Sequence, residues 1–220
     1  MRINPLRILA LDTSGERLLA CRYGEGKTLA LSLKAAARQD VLLDKVVDRL
    51  LPPSIHGRRA GVESALDVIA VGTGPGRFTG IRIGVAFAVV LGKALKVPVA
   101  GFRGLESLAF QESCRPHRPL RGHLPRGGRK IACALYSIRD EWFYGMFRID
   151  GPGEIVALGD EKWGPRAELE KIAKDEGAEI YEGPLKAETL ARRAEAFVKA
   201  GKALPAAEPY YLKLGNYEKK

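Results

Sequence analysis

The sequence predicts an α/β protein of two subdomains, each a mixed sheet flanked by helices. Three observations predict it. A strand meander opens each half of the chain, and helices then alternate with short buried strands. Between the halves, residues 114–130 carry no acidic residue and are rich in Gly and Pro, as a linker or long exposed loop would be. The expected division is 1–113 for the first subdomain, 114–130 for the basic linker or loop, and 131–220 for the smaller second subdomain.

Taken in order, Ile8-Leu9-Ala10-Leu11 is a short buried run and Arg17 to Arg22 a second strand. A turn at Tyr23-Gly24-Glu25-Gly26 leads to a third, Leu29 to Leu33. From Asp40 the period turns helical: Val41, Leu42, Val46, Val47, Leu50 and Leu51 share one broad face. Asp40 suits an N-cap, and Pro52-Pro53 stops the helix because proline cannot extend it. Ser54 to Ser64 is a polar loop. Asp67 to Val71 is a strand, followed by Gly72-Thr73-Gly74-Pro75-Gly76 and a helix from Thr79 to Leu95. Val97 to Ala100 is a strand and Leu105 to Glu112 a short helix. In the second half, strands are expected at Ile131–Ile138, Trp142–Ile149, Glu154–Leu158 and Ala178–Tyr181. Turns fall at Arg139-Asp140 and Gly151-Pro152-Gly153, and amphipathic helices at Arg166–Glu176 and Glu188–Ala200. The tail from Ala207 to Lys220 is extended and basic.

The composition is globular: 46% hydrophobic and 28% charged over 220 residues, which excludes disorder, collagen and coiled coil. A chain of this length can bury about 70% of its unfolded surface without a disulfide or metal. The balance of 36 Lys+Arg against 26 Asp+Glu, a net +10, favours an acidic partner. Six of those positive charges (Arg115, Arg118, Arg121, Arg126, Arg129 and Lys130) fall in the linker, leaving +4 for everything else. Cys21, Cys114 and Cys133 are odd in number and scattered, as reduced thiols in a cytosol are. Ile83 to Gly92, the longest uncharged apolar stretch, is too short to span a bilayer. A cytoplasmic location without a membrane partner is expected.

Gly26-Lys27-Thr28 imitates the end of a P-loop, but position 21 is Cys rather than Gly and the segment joins two strands, so it reads as a hairpin turn. The turn Gly72–Gly76 leads from a strand into a helix. It is either an anion site made of backbone N–H groups or a tight turn needing positive φ. Asp12-Thr13-Ser14 can contact phosphate or magnesium, or can close a hairpin as an Asx- or ST-turn. Asp12, Thr13, Gly74 and Gly76 are the candidate anion-binding residues. Gly80, Gly84, Ala88 and Gly92 recur every four residues and form a face without side-chain bulk, beside a bulky stripe of Ile83, Phe87, Val90, Leu91 and Leu95. Such a ridge admits either an internal strand or helix, or the helix of a partner. His56, His117 and His123 are the three histidines, and no two are spaced i, i+4 as a helical zinc site requires. No Ser lies in a GxSxG elbow. No metal ligand set and no cofactor are expected.

Three stretches carry a resemblance: Ile8-Leu-Ala-Leu-Asp-Thr-Ser14, Val71-Gly-Thr-Gly-Pro-Gly-Arg-Phe-Thr-Gly-Ile-Arg-Ile-Gly84 and Val97-Pro-Val-Ala-Gly101. Together with Ala207-Glu-Pro-Tyr-Tyr-Leu-Lys213 near the end, they resemble the TsaB (YeaZ) family. That family supplies the non-catalytic dimerisation subunit of the bacterial tRNA threonylcarbamoyladenosine machinery. The sequence departs from it at Gln39-Asp40, where members usually carry His-Ser, and at Tyr136 to Phe143, where only Glu141 fits the usual Asp-Ala-Arg-x-x-Glu-Val-Tyr.

The resemblance implies an actin-like (ASKHA) fold and a scaffold role beside the catalytic threonylcarbamoyl transferase paralogue. A P-loop ATPase subunit would dock on that heterodimer, tRNA would be met indirectly or weakly, and a homodimer would use the same helices. The expected interface is Val41 and Lys45 of the first helix with Gly80, Gly84, Ala88 and Gly92 of the second, while Ile83 and Phe87 hold the other side to the core. The alternative is an active ASKHA phosphotransferase or ATPase, with Asp12, Thr13 and Gly72–Gly76 around Mg-ATP. A third reading is RNA binding by the loop 115–130. Six neutralised phosphates would then give a log-affinity slope against log salt of about −5, although that loop has no aromatic residue on which a base could stack.

Overall fold

The computed structural model describes residues 5–24, 27–34, 39–51, 66–115 and 128–212. The expected loop at 54–64, the three histidines, Arg118, Arg121 and Arg126 lie outside the described residues, as does the side chain of Asp40.

Two compact units emerge: Met1–Phe102 with Lys186–Tyr210, and Arg103–Leu185 with Tyr211–Lys220. In the first, β1 (Ile8–Asp12), β2 (Arg17–Gly24) and β3 (Lys27–Lys34) form the expected meander, followed by α1 (Gln39–Leu50), β4 (Val68–Gly72), α2 (Phe78–Leu95) and β5 (Val99–Phe102). The sheet order is β3-β2-β1-β4-β5. β1 pairs antiparallel with β2 and parallel with β4, and β4 pairs parallel with β5. β1 and β4 are buried at every position, which is why they read as unbroken apolar runs rather than alternating ones. Lys27 and Thr28 open a strand and not a helix, in agreement with the hairpin reading.

The second unit contains α3 (Gly104–Ser113), β6 (Arg129–Tyr136), β7 (Glu141–Gly151), β8 (Glu154–Ala157), β9 (Lys162–Pro165), α4 (Arg166–Asp175) and β10 (Glu179–Tyr181). Its sheet runs β10-β6-β7-β8, with β9 added to β7. Each unit is thus a mixed sheet flanked by helices, as the sequence predicts.

Two boundaries differ from the expectation, both through long-range packing. α3, placed by sequence in the first half, lies on β6, β7 and β8 and buries Leu105, Leu108 and Ala109 there. α5 (Ala187–Lys199), placed in the second half, returns to β1, β2 and β4 and buries Leu190, Ala191 and Ala194. The linker is also shorter on its C-terminal side than 114–130, because Arg129 and Lys130 already belong to β6. Arg129 pairs with Glu112 and Glu179, and Lys130 with Glu176. Arg115 pairs with Glu112. Three of the six linker cations therefore have carboxylate neighbours within their own unit, which weakens the reading of 115–130 as an RNA-binding surface.

The turn between β6 and β7 places Arg139 at φ 49° and Asp140 at φ 63°, with the Glu141 N–H donating to the Ile138 carbonyl at 2.9 Å. Two successive left-handed residues, as at the centre of a type I′ turn, suit Asn-Gly and cost other residues about 1–2 kcal/mol each. Both side chains are exposed. The double substitution Arg139→Asn, Asp140→Gly is expected to raise stability by about 1–2 kcal/mol, read as a higher urea midpoint at unchanged slope. An unchanged midpoint would contradict the turn assignment.

Candidate functional site

The glycine ridge faces inward, contrary to the expectation of a partner surface. Gly80, Gly84, Ala88 and Gly92 are all buried, and α2 packs on β4, β1 and β5. A Cβ at Gly84 would run into Thr13 Oγ1, and one at Gly92 into the Val99 side chain. The Thr13 hydroxyl donates to the Gly80 carbonyl at 2.6 Å, tying the end of β1 to the first turn of α2. The ridge lets the sheet approach the helix backbone, so these four residues leave the expected interface set.

What α2 turns outward is its bulky side. Val90 is 67% exposed, Ala86 and Ala94 are exposed, and Ile83 and Phe87 are half-buried. These five positions fall on one helical stripe. α1 lies beside α2 and adds Val41, which is 36% exposed, with an exposed Lys45. Val41 and Lys45 are thus exposed, as a partner surface requires. Ile83 and Phe87 are expected against the core, although the pattern holds the clue. A helix apolar on two sides must be covered on both, and its own sheet covers one. α2 is also long and apolar enough to cross a membrane by length and composition alone, and its sheet-facing side is buried.

The second candidate cluster, Asp12, Thr13, Gly74 and Gly76, is brought together at the ends of β1 and β4. Its polar groups already have partners within the protein. Asp12 is 3% exposed; its Oδ1 accepts the Ser14 N–H at 2.7 Å. The Ser14 carbonyl accepts the Arg77 N–H at 2.7 Å and lies over Gly76. The Thr73 N–H donates to the Phe102 carbonyl at 3.0 Å, and the Thr73 carbonyl accepts the Tyr210 N–H at 2.8 Å. Gly74 sits at φ 107°, where a Cβ would lie 2.5 Å from the Tyr210 carbonyl. The arrangement is a packed junction locking β1, β4, α2 and the chain near Tyr210 together, and Asp12-Thr13-Ser14 is the Asx-type turn that closes it. Among the described residues, no group of three or more His, Cys, Asp and Glu could hold a metal ion.

Burial pushes the Asp12 carboxyl above its ordinary range, against the opposing pull of the Ser14 side-chain and backbone hydrogen bonds. A folded-state pKa above the unfolded one gives stability that is complete below the unfolded value and lost as pH rises through the folded value. Asp12→Asn keeps an acceptor for the Ser14 N–H and removes the buried charge. The melting-temperature difference between variant and wild type is therefore expected to move in the variant's favour from pH 4 to pH 8. A difference constant with pH would contradict the buried, ionising Asp12.

The sequence profile of TsaD, tRNA N6-adenosine threonylcarbamoyltransferase, matches residues 34–202. The chain is 33% identical over 107 residues to the tRNA threonylcarbamoyladenosine biosynthesis protein TsaB of Bacillus subtilis, covering 47% of the chain and 44% of that protein. It is 27% identical to the tRNA N6-adenosine threonylcarbamoyltransferase of an Anaeromyxobacter species, over 81% of the chain and 60% of the relative. The chain therefore spans well under the full length of these curated relatives. The solved structure of YeaZ from Pseudomonas aeruginosa matches with a TM-score of 0.68 and 25% identity, covering 94% of this chain and all of that one.

Proposed function

The chain belongs to the TsaB (YeaZ) family, within the reach of the TsaD profile, and from that premise we propose that it is a non-catalytic scaffold in tRNA threonylcarbamoyladenosine synthesis. In this reading it pairs with, and stabilises, the catalytic threonylcarbamoyl transferase subunit, which acts on an adenosine beside the tRNA anticodon. A P-loop ATPase subunit docks on the pair, and tRNA is met through the partner.

The observation that carries the reading is the uncovered apolar face of α2, Ile83, Ala86, Phe87, Val90 and Ala94, continued by Val41 of α1. An apolar helix face of this kind gains free energy by leaving water, about 25 cal/mol per Å². A paralogue of the same fold, as the transferase relatives are, can present a matching pair of helices to it. The same face serves a homodimer when the transferase is absent.

The test is reconstitution. The purified chain is expected to co-sediment with the transferase subunit as a one-to-one pair, and tRNA modification is expected to require both chains. Modification at full rate by the transferase without this chain, or by this chain alone, would overturn the scaffold assignment.

A further inference from the structure

A row of cations borders the apolar face of α2, and the scaffold reading gives it no role. Between Asp67 and Glu106 the chain carries Arg77, Arg82, Lys93, Lys96 and Arg103 and no acid. The first four lie on α2 or at its two caps, and all of them are exposed. At 3.6 residues per turn and 1.5 Å per residue, Arg82 and Lys93 stand about 16 Å apart along the helix and within about 20° of each other around it. Ala86, Val90, Ile83, Ala94 and Phe87 follow in that order to one side of the line joining them. The two cations therefore form one edge of the apolar stripe.

Helix stability does not account for both. The macrodipole favours Lys93 in the last turn, but near the N-terminus it favours acids. There α2 has Arg77 at its cap, no acid in its first turn and Arg82 at the start of its second. The Arg82 guanidinium lies 3.8 Å from the centroid of the Phe78 ring, a cation–π contact that holds the charge at the start of the row. Nor does α1 cancel the row. Among its described side chains Asp44 and Asp48 balance Lys45 and Arg49, which leaves the α1–α2 face net positive.

That pattern selects the occupant. A second copy related by a two-fold axis would bring the same net-positive face against itself. An RNA backbone would satisfy the cations but cover Ala86 and Val90 with phosphate and sugar, with no hydrophobic gain. A protein surface that is apolar in its middle and acidic along one edge satisfies both halves of the pattern. We infer that the surface of the transferase subunit that meets α2 carries carboxylates about 16 Å apart, which pair with Arg82 and Lys93 and select the transferase over a second copy. The inference rests on the scaffold reading above and adds to it the chemistry of the partner. The planar fork of Arg82 suits a bidentate carboxylate, and Lys93 supplies a point charge. Both stand at the edge of the contact, where charge sets the encounter rate and the choice of partner.

The test is stopped-flow association of the full chain with the transferase subunit at 25 and 250 mM salt. The wild-type on-rate is expected to fall at least about tenfold between the two. Arg82→Glu, Lys93→Glu is expected to associate at least about tenfold more slowly at low salt and to speed up as salt is added. Arg82→Gln, Lys93→Gln should lose most of the salt dependence. Lys199→Glu, Lys202→Glu makes the same change of net charge at the end of α5 and just beyond it, and should retain most of the wild-type rate. Self-association of the wild type, read by sedimentation, should strengthen with salt while association with the transferase slows. Rates indifferent to salt and to Arg82→Glu, Lys93→Glu would overturn the acidic edge and leave the scaffold reading standing, whereas a wild-type chain that does not pair at all would overturn both. An equal loss of rate in the α5 variant would assign the effect to net charge and overturn the row. So would self-association tighter than the pairing, or tRNA binding by the chain alone that Arg82→Glu, Lys93→Glu abolishes.

Discussion

Gly84→Leu is expected to abolish the cooperative unfolding transition of the first unit, and even Gly84→Ala to lower stability by about 2–4 kcal/mol. Helix propensity points the other way, since alanine is favoured over glycine by about 1 kcal/mol in a helix interior. Packing decides the sign. The added Cβ would enter the space of Thr13 Oγ1, and that hydroxyl cannot retreat without leaving the Gly80 carbonyl 2.6 Å away. A buried hydroxyl that loses its acceptor costs about 1–3 kcal/mol, and moving β1 instead would disturb a strand buried at every position. The companion variant Thr13→Ala loses that hydrogen bond but clears the space. In the double variant the alanine at 84 is therefore expected to cost far less than it does alone. Chemical denaturation of the four proteins measures the coupling. Strict additivity, or an unchanged melting temperature in Gly84→Leu, would mean that the ridge faces away from the sheet after all.

The same residue shows where the sequence stops being informative. The recurrence of Gly80, Gly84, Ala88 and Gly92 marks a smooth helix face, but period alone does not name the neighbour that fills it. Thr13 fills it here, from a segment 67 residues away from Gly80, and no local pattern links the two. The elements themselves were legible, because β1, β4 and α2 are set by apolar runs and by the glycine turn between the last two. β9 was not. No strand is expected at Lys162-Trp163-Gly164-Pro165, which ends in Gly-Pro, yet it pairs with Glu141 to Tyr144 of β7. The assignment of α3 and α5 to units was hidden for a related reason. Each is amphipathic, and amphipathicity shows that a face is buried without showing which sheet buries it. Of the expected interface, Val41 and Lys45 are exposed, while the glycine face of α2 turns to the sheet, half a revolution from the side expected to meet a partner.

That half-turn moves the decisive docking test from Gly84 to Val90. Val90→Asp is expected to weaken pairing with the catalytic transferase subunit by about 30- to 1000-fold, equivalent to about 2–4 kcal/mol, while the isolated chain keeps its melting temperature. The first expectation follows from placing a carboxylate in the middle of the stripe formed by Ile83, Ala86, Phe87 and Ala94. It would have to lose its water against an apolar partner surface. The second follows from the 67% exposure of Val90 in the chain by itself, where an aspartate stays hydrated and touches none of the sheet-facing positions. Val198→Asp is the control. Val198 is also an exposed valine, but it lies on α5 rather than on the α1–α2 face, and its substitution should leave pairing intact. Lys45→Glu should act differently again. As an exposed charge at the rim it is expected to change the association rate and its salt dependence more than the lifetime of the pair. Titration calorimetry and stopped-flow mixing with the transferase subunit separate these outcomes. Unchanged affinity in Val90→Asp would remove α2 from the interface, because Val90 is the exposed large hydrophobic residue of that helix.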